Sequence, residues 1–202
     1  MNDNVIARGA EAIISLKNNI ITKDRIEKSY RHPELDKKIR KLRTRSEAKI
    51  LERVSKLIPT PKLISANENT ASITMQHIEG KKLSNNLDKM KNFKAICKKI
   101  GNNIAKIHDN NIIHGDLTTS NMILKGTKVY FIDYGLGFNS PRIEDRAVDL
   151  HLIKQALEAK HPNIHEQAFK AVLEGYQISK KAKLTIAQLE KVEKRGRYKA
   201  QY

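Results

Sequence analysis

The segment from residue 114 to residue 135 constrains the fold of this chain more than any other part of its sequence. It begins with the string His-Gly-Asp-Leu-Thr-Thr-Ser-Asn, which places Asp116 shortly before Asn121, and it ends with Asp-Tyr-Gly at Asp133. Residues 122–132, between these strings, hold two short apolar runs around a Lys-Gly-Thr turn, which is the pattern of a β-hairpin. The polar residues therefore cluster at the mouths of two predicted strands.

This order and spacing match the catalytic loop and the metal-binding aspartate of protein kinases. Phosphoryl transfer needs a divalent cation that bridges the β- and γ-phosphates, and a hard cation such as Mg²⁺ takes oxygen ligands. We predict that Asn121 and Asp133 are those ligands. Asp116 is the predicted catalytic residue, which accepts a hydroxyl proton or orients a water on the other side of the γ-phosphate.

The alternative is that these acids only shape ordinary turns, which is common for one Asp or Gly taken alone. Two motifs in the right order favour the catalytic interpretation. His114 is predicted to hold the loop, because a histidine at a strand end usually packs or hydrogen-bonds the backbone.

The chain carries a large excess of positive charge. Its 39 Lys and Arg against 22 Asp and Glu give a formal net charge of +17, which favours nucleotide phosphates, nucleic acid, an acidic partner or an anionic membrane surface. Residues 37–56 and 191–202 are the most basic segments. We interpret the first as a solvated helix face, whereas for the second both a solvated tail and a functional contact stay open.

The lone cysteine and the absence of long apolar runs indicate the cellular compartment of the protein. Cys97 lies in an apolar helical pattern, so no disulfide framework can form, and we predict a buried thiol in a reducing compartment. The first residues do not resemble a signal peptide, and no window approaches the ~18 apolar residues of a membrane helix. We therefore expect a cytoplasmic protein without a membrane span.

Changes in hydrophobic period divide the chain into a strand-rich first part and a helical second part. A hairpin is predicted around the turn at residues 17–19, and a second strand pair over residues 63–76. Helical patterns are predicted from about residue 35 to Pro59, from 93 to 107, and over 144–160, 165–178 and 182–194. The predicted fold class is α+β, a minimal two-lobed protein-kinase-like fold, with an N-lobe over 1–78, a C-lobe over 79–194 and a basic tail over 195–202.

A kinase-like site also needs a cation on the α- and β-phosphates and an acid on the following helix that fixes this cation. Lys23 ends the second apolar run, and Glu47 lies on the basic helix. A single Lys or Glu is usually a solvated surface charge, but their order along the chain supports the two binding roles.

Two further segments are candidates for nucleotide binding. Gly9, Ala10 and Glu11 occupy the place of a phosphate lid, although the segment has one glycine. Met75, Gln76 and Ile78 would form the hinge, where backbone groups bind adenine and apolar side chains sandwich the ring. Met75 could instead be an ordinary core residue.

Taken together, these residues resemble the small atypical kinase subunit of the KEOPS (EKC) complex of archaea and eukaryotes, over nearly the whole chain. Two elements are not general kinase features and narrow the resemblance: Tyr-Arg-His-Pro at residues 30–33 and Arg-Gly-Arg at residues 195–197. The other signatures are Gly-Ala-Glu-Ala at 9–12, Lys23, Arg-Thr-Arg-Ser-Glu at 43–47, the catalytic loop and Asp-Tyr-Gly.

The resemblance implies an atypical serine/threonine kinase that binds ATP and Mg²⁺. Its ATPase activity would support formation of threonylcarbamoyladenosine in tRNA that reads ANN codons. It also implies that the C-lobe contacts the tRNA-threonylcarbamoylating catalytic subunit and the N-lobe a small companion subunit. The basic tail residues Arg195, Arg197 and Lys199 would contact tRNA.

Several residues depart from ordinary protein kinases. Gly115 replaces the Arg that pairs with an activation-loop phosphate, and Thr118 replaces the lysine that neutralises the γ-phosphate. The span between Gly135 and the next helix is short, which leaves little room to hold a peptide. These features favour ATP hydrolysis over protein phosphorylation. The alternatives are a stand-alone RIO-like protein kinase, a small-molecule phosphotransferase, and a nucleotide-free pseudokinase scaffold for tRNA.

Overall fold

The computed structural model describes residues 4–199 and, among these, side chains as far as residue 195. Its N-terminal part is a five-stranded antiparallel sheet with the strand order β1-β2-β3-β5-β4. The strands are β1 (Asn4–Arg8), β2 (Ala12–Lys17), β3 (Ile20–Arg25), β4 (Leu63–Asn67) and β5 (Ser72–Gln76). Both predicted strand pairs are confirmed, and β1 is an additional strand that the sequence pattern did not reveal.

The β2–β3 hairpin owes its register to its two-residue turn. Asn18 and Asn19 have φ values of 50° and 62°, and asparagine tolerates this left-handed conformation better than most residues. Lys17 therefore pairs directly with Ile20, and the register continues to the pair of Ala12 and Arg25. This pairing places Lys23 in the middle of the sheet, where β3 also pairs with β5.

The predicted first helix is confirmed as α1 (Pro33–Val54), which packs against strands β4 and β5 of this sheet. Proline fits the first helical turn because its missing N–H would be unsatisfied there, and Glu34 and Asp36 complement the positive end of the helix dipole. The helix was predicted from apolar residues that repeat every three or four positions, and only those at its C-terminal end, such as Ile50, lie in the core. Leu42 is 52% exposed, because Thr44 and Glu47 face the protein at this part of the helix.

The C-terminal part is mainly helical. It contains α2 (Leu83–Asn86), α3 (Phe93–Asp109), α4 (Ile143–Lys160), α5 (His165–Tyr176) and α6 (Ala182–Lys199). The helical pattern predicted for α3 rests on four isoleucines that are all buried, Ile96, Ile100, Ile104 and Ile107. Cys97 is buried as well, and its burial raises the pKa of the thiol to about 12. A buried, un-ionised thiol is unreactive, in agreement with the predicted packing role.

Helices α3 and α5 approach each other closely through two glycines. A Cβ atom at Gly101 would lie 1.9 Å from the carbonyl oxygen of Val172, and one at Gly175 would lie 2.0 Å from that of Lys98. No other residue type fits at either position, so these glycines set the distance between the two helices.

Two small sheets hold the loops of the C-terminal part. The predicted hairpin is confirmed as β8 (Met122–Lys125) and β9 (Lys128–Phe131), and β6 (Lys81–Lys82) pairs with β8. The strands β7 (Ile112–Ile113) and β10 (Phe138–Asn139) pair with each other. Two-residue strands have no periodicity that a sequence pattern can show, so β6, β7 and β10 were not predicted.

The predicted α+β class with a strand-rich N-lobe and a helical C-lobe is confirmed. The prediction that the last helix ends at residue 194 is wrong, because α6 continues to Lys199 through part of the predicted tail. Residues 200–202 lie outside the described residues. None of the helices within residues 4–199 is both long and apolar enough to cross a membrane.

Candidate active site

Lys23 lies at the centre of the cleft between the sheet and the helical part. Its Nζ donates a hydrogen bond to Oε1 of Glu47 on α1 at 2.7 Å and another to Oδ1 of Asp133 at 2.8 Å. Lys23 and Glu47 are both buried. The two residues predicted to pair from their order along the chain therefore do contact each other, and the pair extends to a third predicted residue.

The contact with Lys23 controls the ionisation of Asp133. Burial alone would raise the pKa of this carboxyl group, but the Lys23 ammonium and the N–H of Gly135 outweigh that effect and hold the pKa below its ordinary value. The carboxylate is therefore ionised at neutral pH. Asp133 has a φ of 63°, an uncommon conformation for a residue other than glycine, which is a mark of functional sites.

Asp116 and Asn121 form the other side of the site. Nδ2 of Asn121 donates to Oδ2 of Asp116 at 2.8 Å and to its carbonyl oxygen at 3.1 Å. The amide NH₂ group is thus directed to Asp116, and this orients the side chain so that its amide oxygen remains for another partner. A short 3-10 turn over Thr119–Asn121 holds the asparagine directly before the start of β8.

His114 holds the loop from inside, as predicted. Its Nε2 donates to the carbonyl oxygen of Ile132 at 3.2 Å, and its Nδ1 accepts the N–H of Asp116 at 3.3 Å. Burial lowers the pKa of His114 despite the opposing influence of the nearby carboxylates, so the ring is neutral at neutral pH. A neutral imidazole with both nitrogens occupied supports the loop and is not free for chemistry.

Asp149 on α4 anchors the same loop, a role that sequence reasoning missed. Its Oδ2 accepts the N–H of His114 at 2.8 Å, and its Oδ1 accepts the N–H of Gly115 at 2.9 Å. Nε2 of His108 lies 3.2 Å from the same carboxylate. The contacts with His114 and His108 are buried and the one with Gly115 is partly buried. No sequence motif links residues so far apart.

Gly115 permits a close approach between the loop and the segment after Asp-Tyr-Gly. Its φ is 78°, and a Cβ atom there would lie 2.3 Å from the carbonyl oxygen of Leu136. Residues 136–142 are all that separates Gly135 from the start of α4, and two of these residues pair with β7. The short span that was predicted is confirmed.

Two adjoining cavities form the cleft, and both are lined by Lys23 and Asp133. The first, of about 370 Å³, is the polar cavity, named for the several charged side chains that line it. It contains Asp116 together with the predicted lid residues Gly9, Ala10 and Glu11. The second, of about 310 Å³, is lined mainly by apolar residues of the sheet and of the β8–β9 hairpin. It contains the predicted hinge residues Met75, Gln76 and Ile78, together with Asn121.

Every predicted site residue therefore lies on one continuous cleft. Met75 both lines the apolar cavity and belongs to the core, so its two interpretations are compatible. In the lid, Glu11 pairs with Arg43 at 2.6 Å, and the N–H of Gly9 donates to the carbonyl oxygen of Ala12 at 2.9 Å to close the turn.

The donor set fits a magnesium nucleotide better than a metal held by protein alone. Among the residues that the structure describes, no three His, Cys, Asp or Glu side chains form a metal-binding group. One carboxylate and one amide oxygen are the hard oxygen ligands that Mg²⁺ accepts when phosphates and water complete its shell. The apolar cavity beside them suits a purine ring.

Comparisons with known proteins show the family to which this chain belongs. The RIO domain model matches residues 11–138. The KEOPS complex subunit Bud32 of Pyrococcus abyssi is 40% identical over 96% of this chain and 96% of its own length. A probable bifunctional tRNA threonylcarbamoyladenosine biosynthesis protein of Methanobrevibacter smithii is 45% identical over 97% of this chain, which spans 37% of that protein.

The fold is also that of a solved kinase. A Rio2 kinase-ADP/Mg²⁺-phosphoaspartate complex from Chaetomium thermophilum matches with a TM-score of 0.62 and 15% identity, over 97% of this chain and 72% of that one. At this identity the likeness concerns the fold. The chain therefore belongs to the RIO-domain family of atypical kinases and, within it, to the Bud32 family of KEOPS subunits.

Proposed function

We propose that the chain binds ATP with Mg²⁺ and hydrolyses it as a subunit of a KEOPS-type complex that forms threonylcarbamoyladenosine in tRNA. The observation that carries this proposal is the bridge from Lys23 to both Glu47 and Asp133, at the junction of an apolar and a polar cavity. A nucleotide that spans both cavities would have its base in the apolar cavity and its phosphates in the polar one. The cation and the carboxylate of the bridge would then lie beside the phosphates.

Each residue of the cleft has a proposed role. The backbone of Met75, Gln76 and Ile78 binds adenine, and the turn at Gly9, Ala10 and Glu11 covers the phosphates. Lys23, fixed by Glu47, contacts the α- and β-phosphates. Asn121 and Asp133 hold Mg²⁺, which neutralises charge on the β- and γ-phosphates.

Asp116 is the proposed catalytic residue. It orients the attacking water and accepts a proton from it, while the hydrogen bond from Asn121 keeps its carboxylate in place. The loop under it is fixed by Asp149 and His114, so little reorganisation is needed during the reaction.

Three features support water as the preferred acceptor. Thr118 offers no charge to the γ-phosphate, and residues 136–142 leave little room to hold a peptide. The lid has one glycine and a surface ion pair between Glu11 and Arg43, which contributes at most about 1 kcal/mol, so the nucleotide is loosely covered. Autophosphorylation on serine or threonine is the proposed minor activity.

The names of the relatives support partners that belong to a KEOPS-type complex. The bifunctional protein of Methanobrevibacter smithii matches this chain over part of its length, which supports a functional link between the kinase-like part and a threonylcarbamoylating enzyme. We place that catalytic subunit at the C-lobe and a small companion subunit at the N-lobe, in the cytoplasm.

We propose tRNA contact through Arg195, Arg197 and Lys199. Arg195 is 67% exposed and pairs with Glu144 at 2.6 Å, so its guanidinium is partly engaged. The side chains of Arg197 and Lys199 lie outside the described residues.

A second candidate function is that of a stand-alone RIO-like protein kinase, which is favoured by the RIO domain match. Phosphate release from Mg-ATP by the purified chain, with and without tRNA and the presumed catalytic subunit, separates the two. We expect slow release alone and stimulation by the two together, and an Asp116→Asn variant should show neither. Efficient peptide phosphorylation without any tRNA effect would favour the alternative.

The role of the tail is tested by a chain that lacks residues 195–202. We expect this chain to bind Mg-ATP as the full chain does, and to lose part of the tRNA stimulation because polyanion binding depends on the number of basic contacts. Unchanged stimulation would remove tRNA contact from the proposal.

A further inference from the structure

Arg25 is a second buried cation that lines the polar cavity. The proposed function assigns no role to it. Arg25 lies two residues after Lys23 on β3, so both side chains project from the same face of the sheet. Its Nη2 donates to Oε2 of Glu47 at 2.5 Å, whereas Lys23 occupies the other oxygen of the same carboxylate. The Arg25 side chain is 4% exposed.

Glu47 can orient Lys23 without Arg25. The position of Arg25 on the same carboxylate therefore needs another explanation. Burial of a guanidinium is costly unless its charge and its N–H groups are satisfied. Nε of Arg25 is buried and has no hydrogen-bond partner within residues 4–199. Lys23 and Arg25 share the single carboxylate of Glu47, and the remaining positive charge is balanced by Asp133, the proposed Mg²⁺ ligand. If Asp133 holds the metal, the two cations can accept an additional anion.

The geometry identifies the place of that anion. Arg25 lines the same cavity as Asp116, Asp133 and Gly135. A Cβ atom at Gly135 would lie 3.3 Å from Nζ of Lys23, 3.4 Å from Nη2 of Arg25 and 3.1 Å from Oδ1 of Asp133. The ends of both cations and of the proposed metal ligand thus lie close together beside Gly135, and all four residues line the same open cavity.

We propose that Arg25 is a binding residue for the terminal phosphate of the nucleoside triphosphate. Its guanidinium supplies the positive charge that Thr118 does not supply, from the sheet side of the cavity rather than from the catalytic loop. This inference rests on the proposed function and deepens it, because it assigns different phosphates of the nucleotide to two different cations. Lys23 serves the α- and β-phosphates, which ADP also has, and Arg25 serves the γ-phosphate, which only ATP has.

The test compares the affinities for Mg-ATP and Mg-ADP, measured by calorimetry on the full chain. Arg25→Met should weaken ATP binding about tenfold or more, the loss expected for one charge-assisted hydrogen bond, while ADP binding changes little. Lys23→Met should weaken both nucleotides. Arg45→Met is the matched control, because Arg45 lies on the outer face of α1 in an exposed pair with Glu68, and it should change neither affinity.

The ratio of the two affinities separates the proposed contact from a merely structural role. If Arg25 only braces Glu47, both affinities will fall together in Arg25→Met, and the inference is overturned. ADP binding by the variant also serves as its folding check. If Arg25→Met does not fold, Arg25→Lys keeps the buried charge but loses the planar fork, and it should still lower the ATP affinity selectively.

Failure of the proposed function has a different signature. In that case the wild-type chain binds neither nucleotide in the presence of Mg²⁺, and both proposals are overturned. If the wild-type chain binds both nucleotides and the ratio is the same in all Arg25 variants, only the role of Arg25 is wrong.

Discussion

The carboxylate of Asp149 accepts the main-chain N–H of Gly115 at 2.9 Å, and its second oxygen accepts the neighbouring N–H of His114 at 2.8 Å. A side chain on α4 thereby satisfies two consecutive N–H groups of a loop that cannot satisfy them itself. The position of Asp116, the next residue, depends on this buried anchor.

Asp149→Asn should destabilise the protein and slow ATP hydrolysis. The amide would direct an NH₂ group at one of the two loop N–H groups and leave it without an acceptor, which costs about 1–3 kcal/mol. Urea unfolding and phosphate release measure the two effects. Glu158→Gln, on an exposed position of the same helix, is the control and should change neither. Wild-type stability and turnover in Asp149→Asn would show that the anchor is dispensable.

Gly115→Ala and Gly126→Ala form a matched pair. Both glycines have positive φ, 78° and 58°, so both substitutions incur the roughly 1–2 kcal/mol of left-handed backbone strain. Only at Gly115 would the new Cβ meet another atom, the carbonyl oxygen of Leu136. We therefore expect a larger loss of stability at Gly115, together with a loss of turnover that Gly126→Ala does not show. Equal losses in the two variants would exclude the close approach as the reason for Gly115.

The ionisation of Asp133 should depend on Lys23. Because the folded-state pKa lies below the ordinary value of 3.8, the contact stabilises the folded state above that pH, and this contribution is lost as the pH falls through the folded-state pKa. Carboxyl NMR should show Asp133 titrating below 3.8 in the wild-type chain. In Lys23→Met the midpoint should rise, because the effect of burial is then opposed mainly by the N–H of Gly135 alone. Lys183→Met is the surface control, and an unmoved midpoint in Lys23→Met would contradict the assigned cause.

His161 should be energetically coupled to Thr119 in the catalytic loop. Its Nδ1 lies 2.6 Å from Oδ1 of Asp88 and its Nε2 lies 3.1 Å from the Thr119 hydroxyl, with the histidine and the threonine both buried. His161→Phe would leave this hydroxyl without a partner, at a cost of about 1–3 kcal/mol. Thr119→Val in the same background should recover part of the loss. Urea unfolding of both single variants and the double variant tests this, and strictly additive losses would refute the coupling.

The sequence predicted the parts of the site that are local in the chain. Asp116 and Asn121 share one loop, and the hairpin that follows delivers Asp133 to the same end, so spacing alone brought the three together. Lys23 and Glu47 were predicted from their order, since a strand and the next helix have few ways to pack. These residues lie on one cleft in the structure.

The parts that sequence reasoning missed depend on contacts between distant elements. Asp149 reaches Gly115 from a helix that begins after the loop, and nothing in the string around it differs from an ordinary helical aspartate. Arg25 could have been found from its i, i+2 spacing to Lys23, which puts both side chains on one face of β3. Leu42 shows another limit of sequence patterns. The apolar spacing predicted the helix correctly, but it did not show which of the apolar residues are buried against the rest of the protein, and Leu42 is exposed.

Turnover of Mg-ATP by Asp133→Ala tests the central claim most directly. The claim is that Asp133 holds the metal opposite Asp116, and removal of a metal ligand forfeits several kcal/mol of charge stabilisation. Phosphate release should therefore fall by about a hundredfold or more, while the variant keeps its circular dichroism spectrum because Asp133 is a half-exposed cleft residue and not part of the core. Turnover equal to that of the wild-type chain would contradict the account.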